Sequence, residues 1–168
     1  MKRSYRIPIV IVAFTRAHSL KRLLQSIAIA NYSQNDIELI ISIDGGGSDA
    51  VKRVAEEFVW NFGKKTVRQL DKNLGLRDHI IDCGNYTLEN DGVIILEDDL
   101  YVSKEFYNYT QAAIAYYTDK DYVGSFSLYA QKFNETAQFP FEQIIDGSDV
   151  YFMQYAYSWG QFYSKAQW

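Results

Sequence analysis

The chain has 168 residues, the length of about one domain, and 48% of them are hydrophobic, so a packed core is expected and global disorder is excluded. Seventeen Lys and Arg against 21 Asp and Glu give a net charge of -4, without the basic excess of a nucleic-acid binder, though one local site for an anionic ligand remains compatible. A single cysteine, Cys83, excludes an intrachain disulfide framework and a cysteine-based zinc site; beside Ile80, Ile81 and Tyr86 it reads as a buried helix thiol.

The opening Met1-Lys2-Arg3 and the apolar run 7–14 imitate a short signal peptide. No small-x-small cleavage site follows, and eight apolar residues are too few to span a bilayer. Arg6 to Phe14 is therefore expected to be a first strand buried on both faces. Leu20, Leu23, Leu24, Ile27 and Ala28 recur at helical spacing within Ser19 to Ala30. Ile37 to Ile43 reads as a second buried strand, closed by Asp44-Gly45-Gly46-Gly47. A helix then places Val51, Val54, Ala55, Phe58 and Val59 on one face, with Ser48 or Asp49 as N-cap. Thr66 to Leu70 is a third strand, 71–76 a loop, Arg77 to Leu88 a helix and 90–92 a turn. Gly92 to Leu96 is a fourth strand running into Glu97-Asp98-Asp99. A helix from Ser103 to Tyr117, capped by Ser103, and a fifth strand from Tyr122 to Tyr129 follow. Residues 131–149 are polar and irregular, a surface excursion or lid, and Ser158 to Trp168 reads as the opening of another helix.

Alternation of this kind predicts an α/β fold, a mostly parallel sheet flanked by helices. No repeat or linker divides the chain, so residues 1–168 are read as one domain. The stop at Trp168, without a cap or polar tail, is what a piece of a longer enzyme would show. Cytoplasmic localisation is the default expectation, with peripheral membrane contact still compatible. Aromatic residues make up 16% of the chain and thicken towards its end, at Tyr151, Phe152, Tyr155, Tyr157, Trp159, Phe162, Tyr163 and Trp168. Such rings suit a sugar or a nucleobase, which stacks on the face and bonds the hydroxyl; packing is the ordinary alternative.

Ligands of open parallel sheets bind beyond the C-terminal ends of the strands. Polar clusters stand at three of these ends: Thr15-Arg16, Asp44-Gly45-Gly46 and Glu97-Asp98-Asp99. Adjacent carboxylates after a buried strand repel one another and lose solvation, a cost that Mg²⁺ or Mn²⁺ relieves, and such ions share their shell with substrate phosphates. The alternative is a solvated acidic turn. Asp44, before three glycines that let the backbone approach a ligand, could accept a hydrogen bond from a base N–H. No Walker-type lysine follows. His18 and His79 form no triad or metal pair and read as ordinary surface or capping histidines.

Together, Pro8 to Arg16, Ser42-Ile43-Asp44-Gly45, Asn73-Leu74-Gly75-Leu76-Arg77 and Ile95 to Leu100 resemble the GT-A (Rossmann-like) glycosyltransferases, above all family 2-like bacterial enzymes and the N-acetylglucosaminyltransferase I type. Ser158 to Trp168 is similar to their acceptor-side segment. The resemblance implies sugar transfer from a nucleotide-sugar, a UDP-sugar, to a hydroxyl of a saccharide, lipid-linked or protein acceptor, with Mn²⁺ or Mg²⁺ and without nucleic acid. It implies that Asp44 meets the uracil ring, that Asp99 ligates the metal, and that Asp98 meets the ribose or a metal-bound water. Thr15 and Arg16 then lie near the nucleotide, and Asn73, Gly75 and Arg77 on its base, ribose or diphosphate side. An inverting enzyme also needs a general base. Gln154 stands where an acid would align, leaving Asp146 and Asp149 as nearby candidates, or a residue past Trp168. A sugar nucleotidyltransferase would want a glycine-rich loop where Thr15-Arg16-Ala17-His18 stands. A non-catalytic nucleotide- or glycan-binding domain of the same fold would tolerate the missing acid. A phospho-acceptor receiver domain would want its acids at strands one and three.

Overall fold

The computed structural model describes residues 4–154 and 156–168; Met1-Lys2-Arg3 of the signal-peptide comparison and Tyr155 of the aromatic tail lie outside the described residues. The elements run β1 (Ile9–Ala13), α1 (Ala17–Ala28), β2 (Leu39–Ile43), α2 (Asp49–Glu57), β3 (Lys65–Gln69), α3 (Gly75–Gly84), a 3-10 turn (Asn85–Glu89), β4 (Gly92–Glu97), α4 (Phe106–Tyr117), β5 (Ser125–Ser127), β6 (Phe133–Asn134), β7 (Phe139–Pro140) and β8 (Gln161–Ser164). Among the described residues the main sheet has six strands in the order β3-β2-β1-β4-β8-β5. The first four are parallel, and β8 lies antiparallel between β4 and β5.

Alternation along the strands builds both sides of the core. Ile9, Ile11, Ile41, Ile43, Ile94 and Leu96 face Leu20, Leu23 and Leu24 of α1, Val51 and Ala55 of α2, and Phe106 and Tyr107 of α4. Val10, Val12, Ile40, Val93 and Ile95 point the other way, onto α3 and its buried Cys83. The helices are tied at their ends. Ser48, not Asp49, caps α2, accepting the amide of Val51 at 3.3 Å. Lys65 of β3 closes that helix, donating to the carbonyls of Ala55, Glu56 and Phe58 at 2.8, 2.8 and 2.5 Å.

Several expectations are corrected. Ser158 to Trp168 does not open a helix: within it Gln161–Ser164 form β8. Neighbouring side chains there belong to opposite faces, Phe162 to the α1/α4 cluster and Tyr163 to the α3 cluster. Phe162 stacks on Phe126 at 5.4 Å and lies over Gly92, where a Cβ would come within 2.3 Å of its ring. Long-range pairing thereby overrides the local helical pattern. Ser103 caps nothing: α4 starts at Phe106 after Glu105, whose carboxylate accepts the side-chain amides of Asn31 and Asn108. The fifth strand shrinks to Ser125–Ser127. The segment 131–149 is largely exposed and carries the small β6–β7 ladder.

His79 is neither a surface nor a capping residue. It is 1% exposed, with Nε2 2.7 Å from Ser42 Oγ, and Arg68 donates to that same hydroxyl at 2.9 and 3.3 Å. Arg68 also pairs with Asp82 and lies over the Tyr86 ring. This buried polar cluster pins α3 to β2 and β3. Burial holds the His79 imidazole below its ordinary value of 6.5, with the Asp44 charge opposing. The unfolded chain therefore takes up this proton at higher pH than the folded one. The stability contribution is complete above pH 6.5 and declines as pH falls below it. Urea titrations at stepped pH should show stability falling on acidification through that window, and His79→Gln should flatten this part of the profile.

Candidate functional site

The C-terminal edge of the sheet gathers the ends of β1, β2 and β4. At β4 the chain turns out of the sheet directly after Glu97, with the Asp98 amide bonded back to Val12 O at 3.1 Å. That bond holds Asp98 under the β1 end, where its residue is 2% exposed, while the Asp99 side chain is 44% exposed. Arg16, just past β1, reaches both acids: Nη2 lies 2.5 Å from Asp98 Oδ1 and Nη1 donates to Asp99 Oδ2 at 2.7 Å. The Asp98 carboxylate is thus held at short range by the Arg16 guanidinium, which is its charged partner at this edge. Arg22, one turn further along α1, donates to the Asp99 carbonyl at 2.6 Å and fixes the backbone of the acidic turn.

The electrostatics follow from this crowding. Burial raises the Glu97 carboxyl above its usual range, as does the Asp99 charge, against a hydrogen bond from Ser158 and the field of Arg16. Burial likewise raises Asp98, against Arg16 and the backbone of Phe14. For Arg16, burial works against the cation, but the hydrogen bonds and charges of Asp98 and Asp99 outweigh it and raise its value. Two guanidiniums, Arg16 on the Asp98 and Asp99 side chains and Arg22 on the Asp99 carbonyl, thus face three carboxylates, and the edge keeps an excess of negative charge.

At the β2 end, Asp44 is 4% exposed and its carboxylate is already engaged. Oδ1 accepts the amides of Gly45 and Leu74, both at 2.8 Å, and Oδ2 accepts the amide of Gly75 at 3.0 Å. Asp44 is therefore the anchor of the 73–75 loop and of the start of α3. A carboxylate is favoured there because free amides at a helix N-terminus carry partial positive charge. Asn73 completes the knot, donating to Gly45 O at 3.0 Å and accepting the Gly75 amide at 3.0 Å. Two glycines make the approach feasible: a Cβ on Gly45 would lie 2.1 Å from the Lys72 carbonyl carbon, and Gly75 has φ +76°.

The fold brings Arg16, Asp98 and Asp99 into direct contact, and Asp44, Asn73 and Gly75 into a second group. Thr15 is exposed between β1 and α1. Arg77 stands in the first turn of α3, its side chain 88% exposed and 3.8 Å from Asp78. Asp146 lies on the exposed excursion, where hydrogen bonds from Ser148 hold its carboxyl below the usual value. Asp149 lines a cavity beside α4, together with Gln154. Among the described residues no group of three or more His, Cys, Asp or Glu side chains is arranged to hold a metal ion.

Sequence reasoning missed Arg22, whose contact with Asp99 joins residues far apart in the chain and leaves no local signal. It also missed the polar cluster of Ser42, Arg68 and His79. Its one trace in the sequence is a serine inside an otherwise apolar strand.

The sequence model of glycosyl transferase family 2 matches residues 9–162, which takes in every element from β1 into β8. The chain belongs to glycosyl transferase family 2. Curated proteins offer no match. Among solved structures, the family 2 chain is similar to the mannosyltransferase PcManGT from Pyrobaculum calidifontis, solved with GDP-Man and Mn²⁺: TM-score 0.56, 17% identity, 74% of this chain and 35% of that one. It is similar to S. aureus TarS 1-349 in complex with UDP, at TM-score 0.56 and 22% identity over 67% of this chain and 33% of that one. A cytidylyltransferase from Leptospira borgpetersenii shares the fold at TM-score 0.56 and 10% identity, over 97% of this chain and 62% of that one. These likenesses establish a GT-A-like α/β fold, and the chain spans about a third of the length of the two transferase structures. No helix among the described residues is long and apolar enough to cross a membrane.

Proposed function

We propose that this family 2 domain takes part in moving a sugar from a UDP-sugar to a hydroxyl acceptor, with Mn²⁺ or Mg²⁺ at Asp98 and Asp99. The observation that carries the reading is the charge imbalance at the β4 end. Three adjacent carboxylates crowd the turn after β4, with Arg16 between Asp98 and Asp99 and Arg22 on the Asp99 carbonyl, and Asp98 is 2% exposed. Two hard carboxylates fit an ion that takes one or two from the protein and the rest of its shell from phosphate and water. Such an ion supplies Lewis-acid stabilisation of a departing diphosphate.

The protein's own residues have separate tasks. Asp99, half exposed, faces the ligand, while Asp98 aims Arg16 along the same edge. Displaced from the acids, Arg16 has the geometry to grip phosphate oxygens, as does the exposed guanidinium of Arg77 in the first turn of α3. Asp44 holds the 73–75 loop, so its contribution to nucleotide recognition runs through Asn73, Leu74 and Gly75 as well as through its remaining lone pairs. The general base is not assigned to Asp146 or Asp149. Similar proteins support a nucleotide donor more broadly than a uridine one, since PcManGT was solved with GDP-Man and Mn²⁺ and TarS with UDP.

Calorimetric titration of UDP into the chain with Mn²⁺ and then with EDTA tests the reading. Binding in Mn²⁺ and its loss in EDTA is expected; equal affinity in both would remove the metal from the proposal.

A further inference from the structure

A cavity of about 690 Å³ opens on the α4 side of β5, away from the Asp44 loop and within the size range of small-molecule pockets, roughly 300–1,000 Å³. Its walls are α4, β5 with the residues that follow it to 131, and residues 149–154 and 156–157. The rings of Tyr109, Tyr117, Tyr122, Phe126, Tyr129 and Phe152 dominate them. Serine and glutamine side chains stand between the rings, at Ser103, Ser125, Ser127 and Gln154 among others. The charged groups of the lining, among the described residues, are Glu105 and Asp149; no Lys, Arg or His takes part.

That composition selects its occupant. A phosphate, a sulfate or a uronic acid would meet two carboxylates and no cation, an unfavourable pairing. A plain alkyl chain would strip water from the Ser103 hydroxyl and the Gln154 amide of the wall and offer them no partner. A neutral saccharide has an apolar C–H face for each ring and hydroxyls for the polar groups between them. The cavity also borders the end of β4: Gln161, in its wall, pairs with Ile95, two residues before Glu97. Tyr129 and Tyr157, both in its wall, stack at 5.4 Å, and Trp159 stands edge-on to them at 4.8 and 5.2 Å. Beside them, the Leu128 amide donates to Gly160 O at 2.8 Å.

We infer that this cavity binds a neutral saccharide, placing an uncharged glycan as the acceptor beside Glu97. The inference rests on the glycosyl-transfer reading for its role, but not for the binding itself. The test follows the tyrosine-ring NMR signals of the full chain during titration with cellobiose, with N,N′-diacetylchitobiose, with a uronic-acid disaccharide and with decanol. Tyr122→Ala and Phe152→Ala serve as variants, since both side chains are more than half exposed and their loss should spare the fold. Saturable binding of a neutral disaccharide is expected, weakened about three- to tenfold by each variant, with UDP affinity unchanged. Tighter binding of the uronic acid or of decanol, no binding of either neutral sugar, or full affinity in both variants would overturn it. Neutral sugar bound without UDP binding would instead retire the donor reading and leave this site standing.

Discussion

Replacing Asp99 with alanine should reduce Mn²⁺-dependent UDP affinity on the order of 100-fold, because a metal contact to a diphosphate is worth several kcal/mol and each 1.4 kcal/mol is about tenfold. The fold should hardly respond. The Asp99 side chain is 44% exposed, and its partner Arg16 is itself half exposed. Ion pairs of this kind contribute about 0–1 kcal/mol. Asp98 behaves differently in the same assay. It is itself buried, so Asp98→Ala should cost some stability through the space it leaves, and binding through the lost ligand, while Arg16 stays half exposed and paired with Asp99. Calorimetry with Mn²⁺ and a urea melt on each variant separate the two effects. UDP affinity unchanged in Asp99→Ala would end the assignment of the acidic triplet to the metal.

The second large effect belongs to Asp44. Asp44→Ala should lower stability by about 2–4 kcal/mol, since three backbone amides lose a charged acceptor and such bonds contribute roughly 1.5–3 kcal/mol each before water replaces part of them. Asp44→Asn keeps one oxygen and should recover part of that loss. Nucleotide binding should fall as well, because the loop carrying Asn73 and Gly75 is released. If uridine binding weakens while the urea midpoint stays in place, Asp44 acts on the base alone and the amide bonds do not hold the loop.

Much of the fold was legible because β1, β2 and β4 are buried on both faces. Runs such as Ile9–Ala13 and Leu39–Ile43 have no second interpretation once their length and β-branching are weighed. The acidic triplet could be placed at a ligand-binding edge for the same reason, since its position follows from the strand before it. The helical reading of Ser158 to Trp168 failed at Phe162, whose burial against Phe126 and Gly92 depends on elements more than 30 residues away. The surface reading of His79 failed similarly, since Ser42 and Arg68 reach it only after β2, β3 and α3 have packed.

By itself, then, the sequence determined which segments are core strands, the α/β class, and the presence of Thr15-Arg16, Asp44 and Glu97-Asp98-Asp99 at strand ends. These are local consequences of side-chain volume, polarity and period. The tertiary structure alone decided the antiparallel insertion of β8, the sharing of Arg16 between Asp98 and Asp99, the engagement of Asp44 by the 73–75 amides, and the aromatic cavity beside α4. Each of these pairs groups distant in the chain, and their distances and burial arise only when the sheet and helices close on one another.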